Sequence, residues 1–124
     1  MIQYCMDVTR AVQKFLLEYE FPTRLNGYCY FKEALVHILK SDIPPSNKTL
    51  FMELAEQFMT DEGNIERCLG TLVEKMWPAL ACVNLFTARP TIREFIMKCA
   101  EYITAGTRQR SAYDIFHSPA NFKY

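Results

Sequence analysis

The segment 49–77 constrains the fold more than any other part of the chain, because it holds two successive helical patterns of apolar residues. In both patterns the apolar residues recur at i, i+3, i+4 and i+7, the spacing of an amphipathic helix that buries one stripe. Residues 59–63 separate them and supply capping and turn residues. The predicted buried positions are Phe51, Leu54, Ala55 and Phe58 in the first helix, and Ile65, Cys68, Leu69, Leu72, Val73 and Met76 in the second.

Two short helices joined by a tight break form the layout of a helix-turn-helix, whose second helix can enter the major groove of DNA. The same spacing also suits a plain helical hairpin in any α-protein. The pattern alone therefore leaves both interpretations open, with Glu66 and Arg67 expected on the outer face of the second helix.

The remaining segments are also helical in character. Asp7 is predicted to cap a first helix that ends before Pro22, and a second helix follows the Asn-Gly turn at residues 26–27. Residues 41–47 are expected to form a loop. The helix pair is expected to end at Trp77 and Pro78, and residues 79–86 to form one or two buried helical turns.

The last helix is predicted to start at a capping box formed by Thr91 and Glu94, and Gly106 is predicted to end it. No segment shows sustained alternation with a period of two, so the predicted fold is an all-α, compact bundle of about six helices containing a helix-turn-helix at about 49–77. Residues 1–106 are assigned to this helical domain and residues 107–124 to a C-terminal tail. Because Phe116 and Phe122 are costly to leave in water, the tail is expected to pack on the domain or on a second copy.

The composition is that of one globular domain. The chain has 124 residues, half of them hydrophobic, and its 14 Lys and Arg residues balance 14 Asp and Glu residues. A strongly basic composition, the usual footprint of nucleic-acid binding, is absent. DNA binding would therefore depend on a local patch.

Several functional classes are disfavoured. The sequence has no signal pattern and no apolar run long enough to cross a bilayer, so we expect a cytoplasmic protein without a membrane partner. It has no phosphate-binding glycine loop and no nucleophile elbow, so we expect no enzymatic activity, no small-molecule substrate and no cofactor. The five cysteines are not clustered and the only histidines are His37 and His117, so we expect no metal site.

Three segments, in order, resemble motifs of one known family. Residues 27–35 resemble its G-Y-x-Y-x-[RK]-E-A-[IL] segment. Residues 65–67, ten residues before Trp77, resemble the V-E-R…W recognition helix, and residues 89–96 resemble a basic residue followed by P-T-x-x-E-F-I. The family is the C-terminal effector domain of the stage-zero sporulation protein A, the sporulation initiation factor of endospore-forming bacteria. The resemblance extends from about Val8 to Ala105.

This resemblance implies an all-helical DNA-binding domain of a transcription regulator, built around a helix-turn-helix and often paired on adjacent half-sites of duplex DNA. In the full regulator a phosphorylated receiver domain precedes the effector domain. Both a standalone, divergent relative and a domain excised from a longer chain are consistent with this sequence.

The departures from the family fall in the recognition helix. Asn64 stands where the family has an Arg, and Gly70 and Thr71 stand where it has an Arg-His pair. Between residues 61 and 75 four acids outnumber two bases, which opposes the phosphate attraction that dominates DNA affinity. The acids are Asp61, Glu62, Glu66 and Glu74, and the bases are Arg67 and Lys75.

The resemblance and the helical pattern together select candidate DNA contacts. Arg67 can make a bidentate contact to a guanine. For every candidate, an ordinary solvated helix face is the alternative. The base-contacting candidates are Asn64, Glu66, Arg67 and Thr71, and the phosphate-contacting candidates are Lys48, Thr60, Lys75, Arg89, Arg93, Arg108 and Arg110.

The departures also support a second hypothesis. A degenerate effector domain that no longer binds DNA would act as a protein-interaction or dimerisation module. Its partner would be a second copy or a related regulator.

Overall fold

Five helices make up the fold of the computed structural model, which describes the backbone of residues 2–82 and 85–116 and the side chains of residues 8–82 and 85–106. No strand occurs in these ranges. None of the described helices is long and apolar enough to cross a membrane. The helices are α1 (Ile2–Glu18), α2 (Asn26–Lys40), α3 (Asn47–Gln57), α4 (Glu62–Ala81) and α5 (Ile92–Phe116).

Helix α2 lies at the centre of the fold and packs against each of the other four helices. Its apolar stripe explains this position, because Phe31, Ala34 and Leu35 have no exposed surface. Burial of a large apolar side chain stabilises a fold by about 1.5–3 kcal/mol, so this stripe anchors the whole arrangement. An aromatic contact continues the core from α2 towards α5, since the tilted rings of Phe31 and Phe95 have centroids 5.3 Å apart.

The predicted apolar stripes are confirmed where their side chains are described. In the helix pair, Leu54, Ile65, Leu69 and Leu72 are fully buried, and only Phe58 and Cys68 remain partly exposed. The predicted capping box at the start of α5 is also confirmed. The Thr91 amide donates to Glu94 Oε1 at 2.9 Å, and the Glu94 amide donates to Thr91 Oγ1 at 3.1 Å.

The predicted helix boundaries were wrong at four positions. Asn26 and Gly27, predicted to form a turn before the second helix, are the first two residues of α2. Asp7 lies inside α1, which begins at Ile2. A capping preference of about 1 kcal/mol does not start a helix when the preceding residues are themselves compatible with helix. Pro78 lies inside α4, which continues to Ala81. An internal proline costs about 3 kcal/mol, which is partly offset here because the extension buries Leu80 completely.

Gly106 does not end α5, which continues through it to Phe116. A helix-ending glycine adopts a positive φ, and none of the four glycines does so. Residues 107–116, assigned to an irregular tail, are therefore helical, whereas residues 117–124 lie outside the described part. The described helices number five rather than about six, because residues 79–81, expected to begin a separate helical segment, belong to α4.

Candidate nucleic-acid interface

Four residues, 58–61, join α3 to α4. Met59 has a φ of 55°, and its amide donates to Glu56 O at 3.3 Å while the Thr60 amide donates to Ala55 O at 2.9 Å. This pair of hydrogen bonds is a Schellman motif, which usually has glycine where Met59 stands. Asp61 then caps α4, since its Oδ1 accepts from the Asn64 amide at 2.8 Å. The turn is thus defined by hydrogen bonds at both ends.

Helix α4 has one buried face and one exposed face. Its apolar stripe, from Ile65 to Met76, packs into the core. Glu66 and Arg67 are both exposed, which confirms their predicted outward orientation. The exposed face also carries Asp61, Glu62, Thr71, Glu74 and Lys75, so its acids outnumber its bases four to two.

Asn64 is half-buried at the edge of this face, and its side-chain amide is engaged at both ends. Its Nδ2 donates to Thr60 Oγ1 at 3.0 Å and to the Tyr30 hydroxyl at 3.3 Å. Its Oδ1 accepts a hydrogen bond from Arg67 Nη2. The structure therefore brings Thr60, Asn64 and Arg67 together, and it connects them to the buried Tyr30 of α2.

Thr71 and Glu66 are exposed but differ in their bonding. The Thr71 hydroxyl donates to Arg67 O at 3.1 Å, a bond to the preceding turn of its own helix. This bond still leaves the hydroxyl oxygen able to accept a hydrogen bond. The Glu66 side chain makes no hydrogen bond or ion pair within the described part of the chain.

A groove of about 400 Å³ lies between the exposed face of α4 and the segment that leads into α5. Gly70 lines the groove. A Cβ built on Gly70 would find only Ile92 Cδ1 within 4 Å, at 3.9 Å, so the groove is open above this residue. An ion pair between Arg89 and Glu74 borders the groove. Both side chains are about half or more exposed, so water screens this pair strongly. The lining residues are Arg67, Gly70, Thr71, Val73, Glu74, Arg89, Pro90, Thr91 and Ile92.

Arg93 has an inward role. Its Nη1 donates to Pro45 O at 2.8 Å and to Asn47 Oδ1 at 3.1 Å, and its side chain is half-buried. These bonds tie the first turn of α5 to the start of α3. Arg93 therefore offers only part of its guanidinium to a ligand.

The other phosphate-contacting candidates are separated along the fold. Lys48 lies in the first turn of α3 and Lys75 in the third quarter of α4, and both are exposed without an ion pair to any described residue. The side chains of Arg108 and Arg110 lie outside the described residues.

Sequence reasoning missed three features of this site. These are the inward bonds of Arg93, the pairing of Arg89 with Glu74, and the contact of Asn64 with Tyr30. Periodicity carries no signal for such contacts, because the partners are far apart in sequence. The family-like segments gave a partial signal, since they include Tyr30, Arg89 and Arg93, but they do not indicate the partner of any of these residues.

The comparison with protein families gives a match over most of the chain. The family described as sporulation initiation factor Spo0A C terminal matches residues 12–103. No solved structure matches this chain. The matched range begins in α1, ends in α5 and contains the whole α3–α4 pair. This chain therefore belongs to the family of the C-terminal domain of the sporulation initiation factor Spo0A, a DNA-binding effector domain.

Proposed function

We propose that this protein is a transcription regulator that binds duplex DNA, with α3 and α4 acting as a helix-turn-helix and residues 64–77 of α4 lying in the major groove. The observation that carries the proposal is the exposure of Glu66 and Arg67 on a helix whose opposite stripe is buried. Membership of a DNA-binding family supports it.

Arg67 is the strongest candidate for a base contact. A guanidinium has five N–H donors, and among the described residues that of Arg67 donates to Asn64 alone, through Nη2. Enough donors remain for a bidentate contact to guanine O6 and N7, which discriminates against other bases by about 1–3 kcal/mol. Glu66 and Thr71 lie on the same exposed face and complete the set of possible base contacts.

The charge on α4 predicts moderate affinity. Each phosphate that a Lys or Arg neutralises adds about 0.9 to the slope of log K against log salt. Three described candidates for phosphate binding are exposed cations, namely Lys48, Lys75 and Arg89. Arg89 already forms an ion pair with Glu74, which competes with a phosphate. We therefore expect a slope that corresponds to a few phosphates.

The test is a fluorescence-anisotropy titration of labelled duplex DNA at several salt concentrations. The proposal predicts binding that weakens steeply with salt, and a loss of affinity in Arg67→Ala. Absence of binding at low salt contradicts the proposal. Arg10→Ala is the matched control, because Arg10 is exposed on α1, which packs against α2 and α5.

A second candidate function is supported by the acidic excess on the exposed face of α4. Such a face suits a protein partner with basic groups, and the domain would then act as an interaction or dimerisation module without DNA. Its partner would be a second copy or a related regulator. Light scattering and a pull-down with the family regulator test this alternative, and a monomer that captures nothing contradicts it.

A further inference from the structure

We propose that Asn64 is a positioning residue that holds the Arg67 guanidinium in place for base recognition and does not itself contact bases. This inference rests on the proposed function. It reassigns Asn64, because the resemblance and the helical pattern together place Asn64 among the base contacts.

The bonding of Asn64 carries the inference. Both hydrogens of its Nδ2 are used, one by Thr60 Oγ1 at 3.0 Å and one by the Tyr30 hydroxyl at 3.3 Å. With both N–H groups donated, the side chain has none left for an adenine. Its Oδ1 accepts from Arg67 Nη2 and, at 3.7 Å, from the Cys68 thiol, so both lone pairs of this oxygen are engaged too. An asparagine that reads adenine needs both groups free.

The two residues that accept hydrogen bonds from Asn64, Tyr30 and Thr60, are themselves held in place by their neighbours. Tyr30 is buried, and its ring packs edge-on against Phe58 with centroids 4.9 Å apart. The Thr60 amide donates the last bond of the Schellman turn, to Ala55 O. The amide of Asn64 is therefore fixed by two elements, α2 and the turn before α4, before it meets Arg67.

The fixed Asn64 amide restricts the side chain of Arg67, which is exposed and has many rotatable bonds. Ordering such a side chain on binding costs about 0.5–1.5 kcal/mol. A bond to a fixed acceptor removes part of that cost in advance and leaves the other N–H donors for the base. The preference for one base pair therefore depends on Asn64 through Arg67.

The first test measures the order of the free protein by NMR relaxation at the Nε–Hε group of Arg67. The inference predicts that Arg67 is more ordered than the exposed Arg10, and that Asn64→Ala lowers its order to that level. Tyr30→Phe should lower it partly, since Thr60 still holds Nδ2. Asn64→Asp keeps the acceptor and should restore order. An Arg67 signal that Asn64→Ala leaves unchanged overturns the inference without touching the proposed function.

The second test is a double-mutant cycle on DNA affinity with Asn64→Ala and Arg67→Ala. Asn64→Ala should reduce the preference for the base pair that Arg67 contacts by about 2- to 10-fold, the range expected from the cost of ordering one long side chain. In the Arg67→Ala background it should have no further effect. Additive effects would show that Asn64 contacts DNA independently, which overturns the inference while the proposed function stands.

Folding of Asn64→Ala is checked by thermal unfolding, and the cap is retained because Asp61 accepts from the backbone amide of residue 64. If the wild-type protein binds no duplex at low salt, the proposed function fails and the role of Asn64 in recognition fails with it. The NMR result then still decides whether Asn64 orders Arg67.

Discussion

Gly27 at the start of α2 lies directly against the backbone carbonyl of Cys68 on α4. A Cβ on Gly27 would lie 2.5 Å from Cys68 O and 3.3 Å from Leu72 Cβ. Real Cβ atoms do not approach a carbonyl oxygen this closely, and a backbone oxygen cannot rotate away. The glycine that opens the first family-like segment therefore sets how closely α2 supports the proposed recognition helix.

Gly27→Ala is predicted to destabilise the protein by about 1–3 kcal/mol, because α2 and α4 must separate to admit the methyl group. Urea unfolding followed by circular dichroism measures the change. Gly70→Ala is the matched control. Its Cβ meets Ile92 at an ordinary contact distance, so a helix-interior glycine replaced by alanine should stabilise by up to about 1 kcal/mol. Equal effects of the two substitutions would contradict the close-approach argument.

Met59→Gly is predicted to stabilise the protein by about 0.5–1 kcal/mol. Met59 occupies the left-handed region at a φ of 55°, which costs an L-residue about 1–2 kcal/mol. Glycine removes this cost, but it also gives the unfolded chain more conformational freedom, so the net stabilisation is smaller than the cost removed. Its side chain is 92% exposed, so little burial is lost.

Met52→Gly is the control for Met59→Gly, since Met52 is exposed within α3. This substitution should destabilise by about 1 kcal/mol. Thermal and urea unfolding should therefore give opposite signs for the two methionines, and a loss of stability at both positions would exclude a strained Met59.

Arg93→Ala is predicted to lower the free energy of unfolding by about 1–3 kcal/mol, because it leaves the carbonyl of Pro45 and the side chain of Asn47 without their charged donor. Arg89→Ala removes a solvent-screened ion pair and should change stability by less than about 1 kcal/mol. Urea unfolding of both variants measures the two changes in the free energy of unfolding. Similar small losses would mean that Arg93 does not tie α5 to α3.

Glu74→Gln is predicted to strengthen DNA binding and its salt dependence, because it releases Arg89 and removes a negative charge from the exposed face of α4. One additional phosphate contact makes the change in affinity between 50 and 200 mM salt roughly threefold larger. Glu18→Gln removes an exposed acid from α1 and should leave the slope unchanged. A Glu74→Gln slope equal to that of Glu18→Gln would show that Arg89 takes no part in phosphate binding.

The sequence predicted the helical stripes because burial of one face leaves a periodic mark. The stripe from Ile65 to Met76 also predicted that Glu66 and Arg67 face outwards. The boundaries at Asp7, Pro78 and Gly106 were predicted less well. Capping and propensity effects amount to a few kcal/mol at most, and at Pro78 the burial of Leu80 offsets part of this cost.

The hydrogen-bond partners of the site residues could not be predicted from the sequence. Arg93 and Pro45 are 48 positions apart, and Asn64 and Tyr30 are 34 apart. Such pairs form only after the helices have packed, and residue type alone does not reveal them. Arg93 was therefore predicted from the sequence to contact a phosphate, whereas in the fold it links α5 to the start of α3.

The most direct test of DNA recognition by α4 is the base preference of wild-type and Arg67→Ala protein, measured on the duplex that the wild type selects from a random library. Each base pair of that duplex is substituted in turn and the affinities are compared. If α4 reads the bases, Arg67→Ala loses about 1–3 kcal/mol of preference at one base pair, with the other positions unchanged. An unaltered preference at every position would contradict the claim that the exposed face of α4 contacts DNA bases.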